Sequence, residues 1–164
     1  MKGDLFELLM STVISEIYNI KDVIIKKNYK LKDLQYDFVV QTKTEIIVIE
    51  VKGYKKDKKI PLGYFDKKKQ KPQRESVKWF FNYTFDIFKN NYMGGPEHHN
   101  LDVRACYITT SKFDPIAIKY LENLNRGKLK PTNLNLFYDR DQLINLLGEN
   151  KLYDEIKIIN NYFN

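Results

Sequence analysis

Two carboxylates and a lysine lie at the ends of two neighbouring stretches that the sequence predicts as strands. Asp37 falls within Tyr-Asp-Phe-Val-Val, and Glu50 and Lys52 close the apolar run Glu-Ile-Ile-Val-Ile-Glu-Val-Lys. Carboxylate oxygens suit Mg²⁺ and Mn²⁺, and a metal-activated water can attack a phosphoryl group. These residue types therefore predict the metal-dependent hydrolysis of a phosphodiester.

The predicted hairpin brings the three side chains together. Side chains alternate along a strand, so Glu50 and Lys52 project to one side, and Asp37 comes from the antiparallel partner strand. Two adjacent carboxylates repel each other, and a hard divalent cation relieves that repulsion. We expect Asp37, Glu50 and the Val51 backbone carbonyl to bind Mg²⁺ or Mn²⁺. We expect Lys52 to orient the attacking water or to stabilise the developing negative charge.

Glu7, in the first predicted helix, is a candidate fourth member of this site. Its carboxylate could bind the metal directly or through a water. The alternative for Glu7 is an exposed helix carboxylate, and the alternative for the strand residues is an exposed cross-strand ion pair. The apolar strand context and the basic charge that follows Lys52 favour the catalytic interpretation.

Hydrophobic periodicity predicts the elements that must position these residues. Helices are predicted over residues 4–18, 74–91, 114–125, 140–147 and 153–162, and strands over 22–30, 35–42, 45–53, 102–110 and 134–138. This order predicts an α/β fold, in which a central mixed β-sheet is flanked by helices, in a single domain spanning residues 1–164. The buried stripe of the first helix is predicted to contain Leu5, Leu8, Leu9, Thr12, Val13 and Ile17.

The net charge of +7 is concentrated in one segment. Residues 52–78 contain eleven Lys or Arg and three acidic residues, which gives +8, so the rest of the chain carries −1. Such a patch attracts polyanions by releasing their counterions. The alternative is a solvated lysine-rich loop. The residues predicted to bind nucleic acid are Lys55, Lys56, Lys58, Lys59, Lys67, Lys68, Lys69, Lys71 and Arg74.

The composition excludes several other classes of protein. Apolar residues make up 43% of the chain, which is too many for a disordered polypeptide. Cys106 is the one cysteine, so a disulfide framework is excluded and a reducing, cytoplasmic setting is expected. The first residues include acids where a signal peptide needs an apolar run, and no stretch approaches the roughly 20 apolar residues of a membrane span.

These motifs resemble those of the PD-(D/E)xK nucleases, and in particular the Mrr-type restriction endonuclease domain. The resemblance rests on Gly3-x-x-Phe6-Glu7, on Asp33-x-x-x-Asp37 and on Glu50-Val-Lys52 followed by Gly-Tyr-Lys-Lys. The segments Tyr107-Ile-Thr-Thr-Ser-Lys-Phe113 and Leu134-Asn-Leu-Phe-Tyr-Asp139 match later strands in the family's order. Gln35 replaces the family's usual glycine, Tyr36 stands where the superfamily name has proline, and Glu50 occupies a position that is often Gln in Mrr-type enzymes.

The resemblance implies a restriction-endonuclease-like core and a Mg²⁺-dependent endonuclease acting on DNA, most often double-stranded. It also implies that Glu7 is an accessory acid of the active site. Family members usually act beside a DNA-reading domain, so this chain is either a minimal nuclease or one that depends on a targeting partner protein. Cutting both strands of a duplex needs two sites, which a homodimer would supply.

Three alternatives remain open from the sequence. The same chemistry could act on RNA or on branched or single-stranded DNA; the fold could bind nucleic acid without cutting it; or the basic loop could bind an acidic protein. Cys106 is expected in the core, as are Trp79, Phe80, Tyr83 and Phe85, although exposed rings could stack on bases. His98 and His99 are expected in a solvated loop, and Thr109 to Ser111 before the next helix rather than on phosphate.

Overall fold

The structure, a computed structural model, describes residues 2–63, 65–66, 68, 71–92, 101–124 and 134–164. Helices and strands alternate along the chain largely as the hydrophobic periodicity predicts. In chain order they are α1 (Lys2–Ile17), β1 (Ile24–Leu31), β2 (Leu34–Gln41), β3 (Glu45–Lys52), β4 (Lys59–Ile60), β5 (Phe65–Asp66), β6 (Lys71–Pro72), a π-helical segment (Trp79–Thr84), α2 (Phe85–Asn91), β7 (Asp102–Thr109), β8 (Lys112–Phe113), α3 (Pro115–Leu124), β9 (Phe137–Tyr138), α4 (Arg140–Glu149) and α5 (Tyr153–Tyr162).

Five of the strands form a mixed central sheet in the order β1-β2-β3-β7-β9. Strand β1 pairs antiparallel with β2, and β2 pairs antiparallel with β3, whereas β3, β7 and β9 run parallel to one another. The predicted α/β fold, with a mixed sheet flanked by helices, is confirmed and is consistent with a restriction-endonuclease-like core. The long connection after β3 contains β4, β5 and β6. Its strand β4 pairs with β8, which follows β7, and β5 pairs with β6. The single-domain organisation stays a prediction.

Helices cover both faces of the sheet and create two apolar cores. The strand β3 contributes to each in turn, with Ile47 and Ile49 on one face and Ile46 and Val48 on the other. The first core lies under α1, α4 and α5, and the second lies under the π-helical segment, α2 and α3. This double burial explains why β3 reads as a continuous apolar run.

The predicted buried stripe of α1 is partly wrong. Leu8 is 69% exposed, and Thr12 is exposed as well. The helix instead buries Phe6, Met10 and Ile14, which follow one another at intervals of four residues. The stripe is therefore rotated from the predicted one, because Phe6, Met10 and Ile14 face the first core while Leu8 and Thr12 face solvent.

The predicted helix over residues 74–91 is correct in its burial but not in its geometry. The predicted inner residues are all buried, namely Val77, Phe80, Phe81, Thr84, Phe85 and Phe88. However, the Phe85 amide donates to the Phe80 carbonyl five residues earlier, which is the π-helical pattern. None of the helices in the described ranges is both long and apolar enough to cross a membrane.

Candidate active site

The strands β2 and β3 separate at the predicted catalytic residues. Their antiparallel ladder ends with the pair Phe38 and Ile49. Beyond that pair β2 stays with β1, whereas β3 stays with β7 as far as the pair Lys52 and Thr109. Asp37 and Glu50 are the next residues in register, so they stand on either side of the opening between the two strands.

The side-chain direction of β2 switches at Asp37. Phe38 lies in the first core, so regular alternation would put Tyr36 there as well, yet Tyr36 lies in the second core. Across the hairpin from Asp37, Asn28 has a φ of 51°, a left-handed conformation that Asn tolerates. The two strands thus turn together at this position, which places Asp37 in the opening rather than on either face of the sheet.

Asp37 is held there by the backbone of β3. The amide of Val51 donates a 2.9 Å hydrogen bond to Oδ2 of Asp37. The amide and carbonyl of a strand residue point to the same edge, so the Val51 carbonyl also faces the Asp37 side. The Lys52 carbonyl faces the opposite edge, where it accepts from Oγ1 of Thr109 at 2.9 Å. The Val51 carbonyl therefore lies on the edge where the predicted metal ligand set requires it.

Glu50 and Lys52 form an ion pair beside this opening. The Nζ atom of Lys52 lies 3.5 Å from Oε1 of Glu50, and the two side chains are 33% and 17% exposed, respectively. Burial raises the pKa of Glu50 well above its usual range, and the neighbouring Asp37 carboxylate raises it further. Burial alone would lower the pKa of Lys52, but Glu50, Tyr54 and Asp37 together raise it. The ammonium group of Lys52 consequently stays protonated.

Glu7 interacts electrostatically with Asp37 and Lys52. Its pKa is raised by partial burial and then by Asp37 and Asp4, while Lys52 acts in the opposite direction. Within the described residues, no three His, Cys, Asp or Glu side chains converge closely enough to form a metal cluster. Both roles predicted for Glu7, direct ligation of a metal and contact through water, stay predictions.

The residues present fit a hard divalent cation. Asp37 and Glu50 supply two adjacent carboxylates, and the Val51 carbonyl lies on the same edge. Mg²⁺ in proteins commonly takes one or two carboxylates and completes its shell with water and substrate phosphate. The repulsion between the two carboxylates, which raises the pKa of Glu50, is the interaction that a bound cation would relieve.

Three buried hydroxyl residues at the end of β7 and directly after it position the chain at Lys52 and just beyond it. Thr110 uses its side chain to accept from the Tyr54 amide at 2.8 Å and to donate to the Tyr54 carbonyl at 2.6 Å. Thr109 donates to the Lys52 carbonyl, and its hydroxyl lies 2.9 Å from that of Ser111. These positioning residues were predicted only to precede a helix. Their contacts cross more than fifty residues of sequence, so local patterns carry no signal for them.

Gly53 brings α1 against the end of β3. A Cβ atom at this position would lie 2.7 Å from Cβ of Phe6 and 2.9 Å from Cε1 of Phe163. The rings of Phe6 and Phe163 pack edge to face at 5.7 Å. Because Phe6 precedes Glu7, the missing side chain of Gly53 allows the helix that carries Glu7 to approach the catalytic strand.

The basic segment begins directly at the site. Lys55, Lys56, Lys58 and Lys59 are exposed, as are Lys68 and Arg74, and Lys71 begins β6. The predicted Lys67 and Lys69, like His98 and His99, lie outside the described residues.

Cys106 is completely buried, and burial raises the pKa of its thiol to about 12, which confirms the predicted core position. Phe80 and Phe85 are likewise buried, as predicted. Trp79, by contrast, is only half-buried and Tyr83 is 45% exposed, so the prediction of a core position is wrong for Tyr83. An exposed tyrosine beside a half-buried tryptophan leaves part of this ring pair open to solvent.

Residues 2–93 match the family model of the nuclease-related domain. The chain belongs to the nuclease-related domain family. This family is part of the restriction-endonuclease-like, or PD-(D/E)xK, superfamily, so the predicted superfamily is confirmed. The matched segment contains Glu7, Asp37, Glu50 and Lys52. The match does not identify the Mrr-type branch, which stays a resemblance.

Solved structures similar to this nuclease-related domain chain include an uncharacterised protein. It is described as the crystal structure of a protein of unknown function, with 16% identity and a TM-score of 0.47. The similarity covers 87% of this chain and 67% of the other. No curated protein sequence matches the chain.

Proposed function

We propose that this chain is a Mg²⁺-dependent or Mn²⁺-dependent endonuclease that hydrolyses phosphodiester bonds in DNA. One observation carries the proposal: Asp37, Glu50 and Lys52 meet at the opening between β2 and β3, where the Val51 amide fixes the Asp37 carboxylate. Membership of the nuclease-related domain family supports nuclease chemistry in general, without specifying the metal or the substrate. The metal, the substrate and the activity are our proposals.

Each residue has a distinct role in this proposal. Asp37, Glu50 and the Val51 carbonyl would hold the metal ion, which when bound lowers the pKa of a coordinated water and polarises a phosphate oxygen. The protonated Lys52, next to Glu50, would donate to the attacking water or to the phosphate oxygen on which negative charge develops. Glu7, which interacts electrostatically with Asp37 and Lys52, would accept a hydrogen bond from a water at the site.

The substrate is proposed from charge and resemblance. The exposed lysines after β3 begin at Lys55, three residues beyond the catalytic lysine, so they would contact the phosphates that flank the scissile bond. DNA is proposed because the Mrr-type enzymes that the chain resembles act on DNA. A homodimer would cut both strands of a duplex, and a targeting partner would direct the enzyme. We also propose a cytoplasmic location, because a sequence with a single cysteine has no disulfide framework and suits a reducing compartment.

Cleavage of a supercoiled plasmid and of labelled DNA and RNA oligonucleotides tests the proposal. Wild-type protein is expected to cut DNA with Mg²⁺ or Mn²⁺ and not with EDTA, whereas Asp37→Ala and Lys52→Ala are expected to be inactive. Matched controls are the exposed Asp154→Asn and Lys157→Ala on α5, both of which should retain activity. Cleavage that survives both active-site substitutions would overturn the proposed site.

The same assay separates the alternative functions. Preferential cutting of RNA would reassign the substrate and leave the chemistry in place. Binding of DNA without any metal-dependent cutting would indicate a nucleic-acid-binding module. Weak, salt-sensitive binding of nucleic acid would favour an acidic protein partner for the basic segment.

A further inference from the structure

An aromatic pair lies on the outer side of the π-helical segment. The rings of Trp79 and Tyr83 pack against each other in a tilted arrangement, with their centroids 4.1 Å apart and their planes inclined by 33°. The guanidinium group of the exposed Arg74 lies 5.7 Å from the Trp79 ring centroid. The inner residues of the segment fill the second core, so the pair is left at the surface with a cation beside it.

Two tyrosine hydroxyls hold this segment next to the candidate active site. Tyr36, the residue before Asp37, donates a buried 2.6 Å hydrogen bond to the Thr84 carbonyl. Tyr107, which is paired with Glu50 across β3 and β7, donates a 2.6 Å hydrogen bond to the Glu75 carbonyl. The segment is therefore attached near both of its ends to residues adjacent to the proposed metal ligands.

The aromatic pair also lies on the face of the sheet to which Glu50 projects. Glu50 lies two residues beyond Val48 in β3, so both side chains project to the same face of the sheet. Val48 belongs to the second core, and the π-helical segment covers that core. Tyr36 belongs to the same core, where its ring packs edge to face against Phe88 at 5.3 Å, so the residue before Asp37 is in contact with the elements that carry the aromatic pair.

We propose that Trp79 and Tyr83 form a stacking platform for an unpaired nucleobase next to the phosphodiester that is cut. Every base has a flat face that can stack on an aromatic ring, so such a platform accepts any sequence. In an intact duplex those faces are covered by neighbouring bases, so the substrate strand is single-stranded at this position, as in a flap, a gap or a single strand. Arg74 would contact the adjoining phosphate. The inference rests on the proposed function and specifies its substrate class.

Binding measured in EDTA tests the platform without cleavage. A fluorescein-labelled oligodeoxythymidine and a duplex of equal length are titrated with wild type, Tyr83→Ala, Tyr83→Leu and Tyr83→Phe, and anisotropy reports the affinity. Loss of one stacking ring should weaken single-strand binding roughly tenfold and duplex binding less than about twofold. Tyr83→Phe should retain wild-type affinity, whereas Tyr83→Leu, which keeps apolar bulk without a ring, should behave like Tyr83→Ala.

A matched control and a second readout complete the test. Tyr153→Ala removes an even more exposed tyrosine from α5 and should change neither affinity. Trp79 is the one tryptophan in the chain, so the single strand should quench the intrinsic fluorescence of the wild type and should quench it less in Tyr83→Ala. Equal loss of single-strand and duplex binding in Tyr83→Ala, or affinities like those of Tyr153→Ala, would overturn the platform.

The two proposals fail in different ways. A chain that shows the Tyr83-dependent preference for single strands but never cuts DNA would overturn the nuclease and support the platform. A chain that cuts intact duplex through Asp37 and Lys52, with no effect of Tyr83→Ala on any substrate, would support the nuclease and overturn the platform.

Discussion

The backbone amide of Val51 and the carboxylate of Asp37 are joined by a 2.9 Å hydrogen bond across the opening between β2 and β3. If the antiparallel register continued, the Val51 amide would meet the Tyr36 carbonyl. The Asp37 side chain takes that position because β2 changes its side-chain direction there. One carboxylate thus satisfies the end of the ladder and also presents its other oxygen to the candidate metal site.

Replacing Asp37 by Asn separates these two roles. The amide oxygen of Asn can still accept from Val51, but the negative charge is lost. We expect cleavage to fall by roughly a hundredfold or more, beyond what loss of an outer-shell partner costs. The free energy of unfolding should stay within about 1 kcal/mol of wild type, whereas Asp37→Ala, which strands the Val51 amide, should lose about 1 to 3 kcal/mol. Urea denaturation and plasmid cleavage measure the two effects, and an active Asp37→Asn variant would contradict the metal-ligand role.

The stability of the metal-free protein should depend on the protonation of Glu50. Burial and then Asp37 raise its native pKa above the ordinary value of 4.5, so the folded chain holds this proton more tightly than the unfolded chain. The free energy of unfolding contributed by Glu50 is therefore fully present below pH 4.5 and is lost as pH rises through the native pKa. The loss amounts to about 1.4 kcal/mol for each pH unit between the two pKa values.

Urea denaturation in EDTA over a pH series measures this dependence. Glu50→Gln should flatten the decline, because Gln has no proton to lose, and should be more stable than wild type at the upper end of the window. The exposed Glu122→Gln is the matched control and should leave the curve unchanged. Parallel curves for wild type and Glu50→Gln would show that Glu50 titrates normally.

Added Mg²⁺ should stabilise the protein through the same pair of carboxylates. A ligand at 100 times its dissociation constant adds about 2.7 kcal/mol to the free energy of unfolding. Thermal unfolding should show this for wild type and for Lys52→Met, which keeps both carboxylates, but not for Asp37→Asn or Glu50→Gln. Lys52→Met should nevertheless fail to cut DNA. Equal stabilisation of all four proteins would place the cation elsewhere.

The salt dependence of DNA binding should identify lysines that contact phosphate. Each phosphate contact contributes about one unit to the slope of log affinity against log salt concentration. Lys55→Ala, just beyond the catalytic strand, should therefore lower the slope by about one, while Lys157→Ala on α5 should not change it. Binding isotherms between 50 and 200 mM salt, roughly the range over which such contacts dominate, provide the measurement. An unchanged slope for Lys55→Ala would remove that lysine from the interface.

Local patterns were sufficient to predict the strands that carry the site. The apolar run of β3 and the short Thr42-Lys43-Thr44 turn fix the hairpin register, and that register alone places Asp37 opposite Glu50. The alternating hydrophobicity could not reveal the switch of direction at Asp37. That switch depends on Asn28 adopting a left-handed conformation on the partner strand, and no periodic pattern encodes it.

Contacts distant in sequence account for the rest of what was missed. The hydrogen bonds from Tyr36 to Thr84 and from Tyr107 to Glu75 span 48 and 32 residues, respectively, and they decide where the π-helical segment lies. Apolar spacing predicted which residues of that segment are buried, since the inner face is similar in either kind of helix. It could not predict that Tyr83 stays outside, because aromatic residues at helical spacing usually lie in a core.

Gly53→Ala should lower the stability of the protein and displace α1. The added methyl group would lie within 3.0 Å of both Phe6 and Phe163, so one of the two large rings or the α1 backbone must shift. Overpacking of this kind costs about 1 to 3 kcal/mol. Because Glu7 follows Phe6, any displacement of α1 moves its carboxylate away from Asp37, and we expect DNA cleavage to fall further than the fraction of folded protein does.

Gly148→Ala provides the matched control for this change. A Cβ atom at Gly148, within α4, meets nothing within 4 Å, so the substitution should leave stability unchanged or raise it by roughly 0.5 to 1 kcal/mol through the helix preference of Ala. Thermal unfolding gives the stabilities, and initial cleavage rates at a temperature where all proteins are folded give the activities. If Gly53→Ala matched Gly148→Ala in both measurements, the close approach of α1 to the end of β3 would have no part in shaping the site.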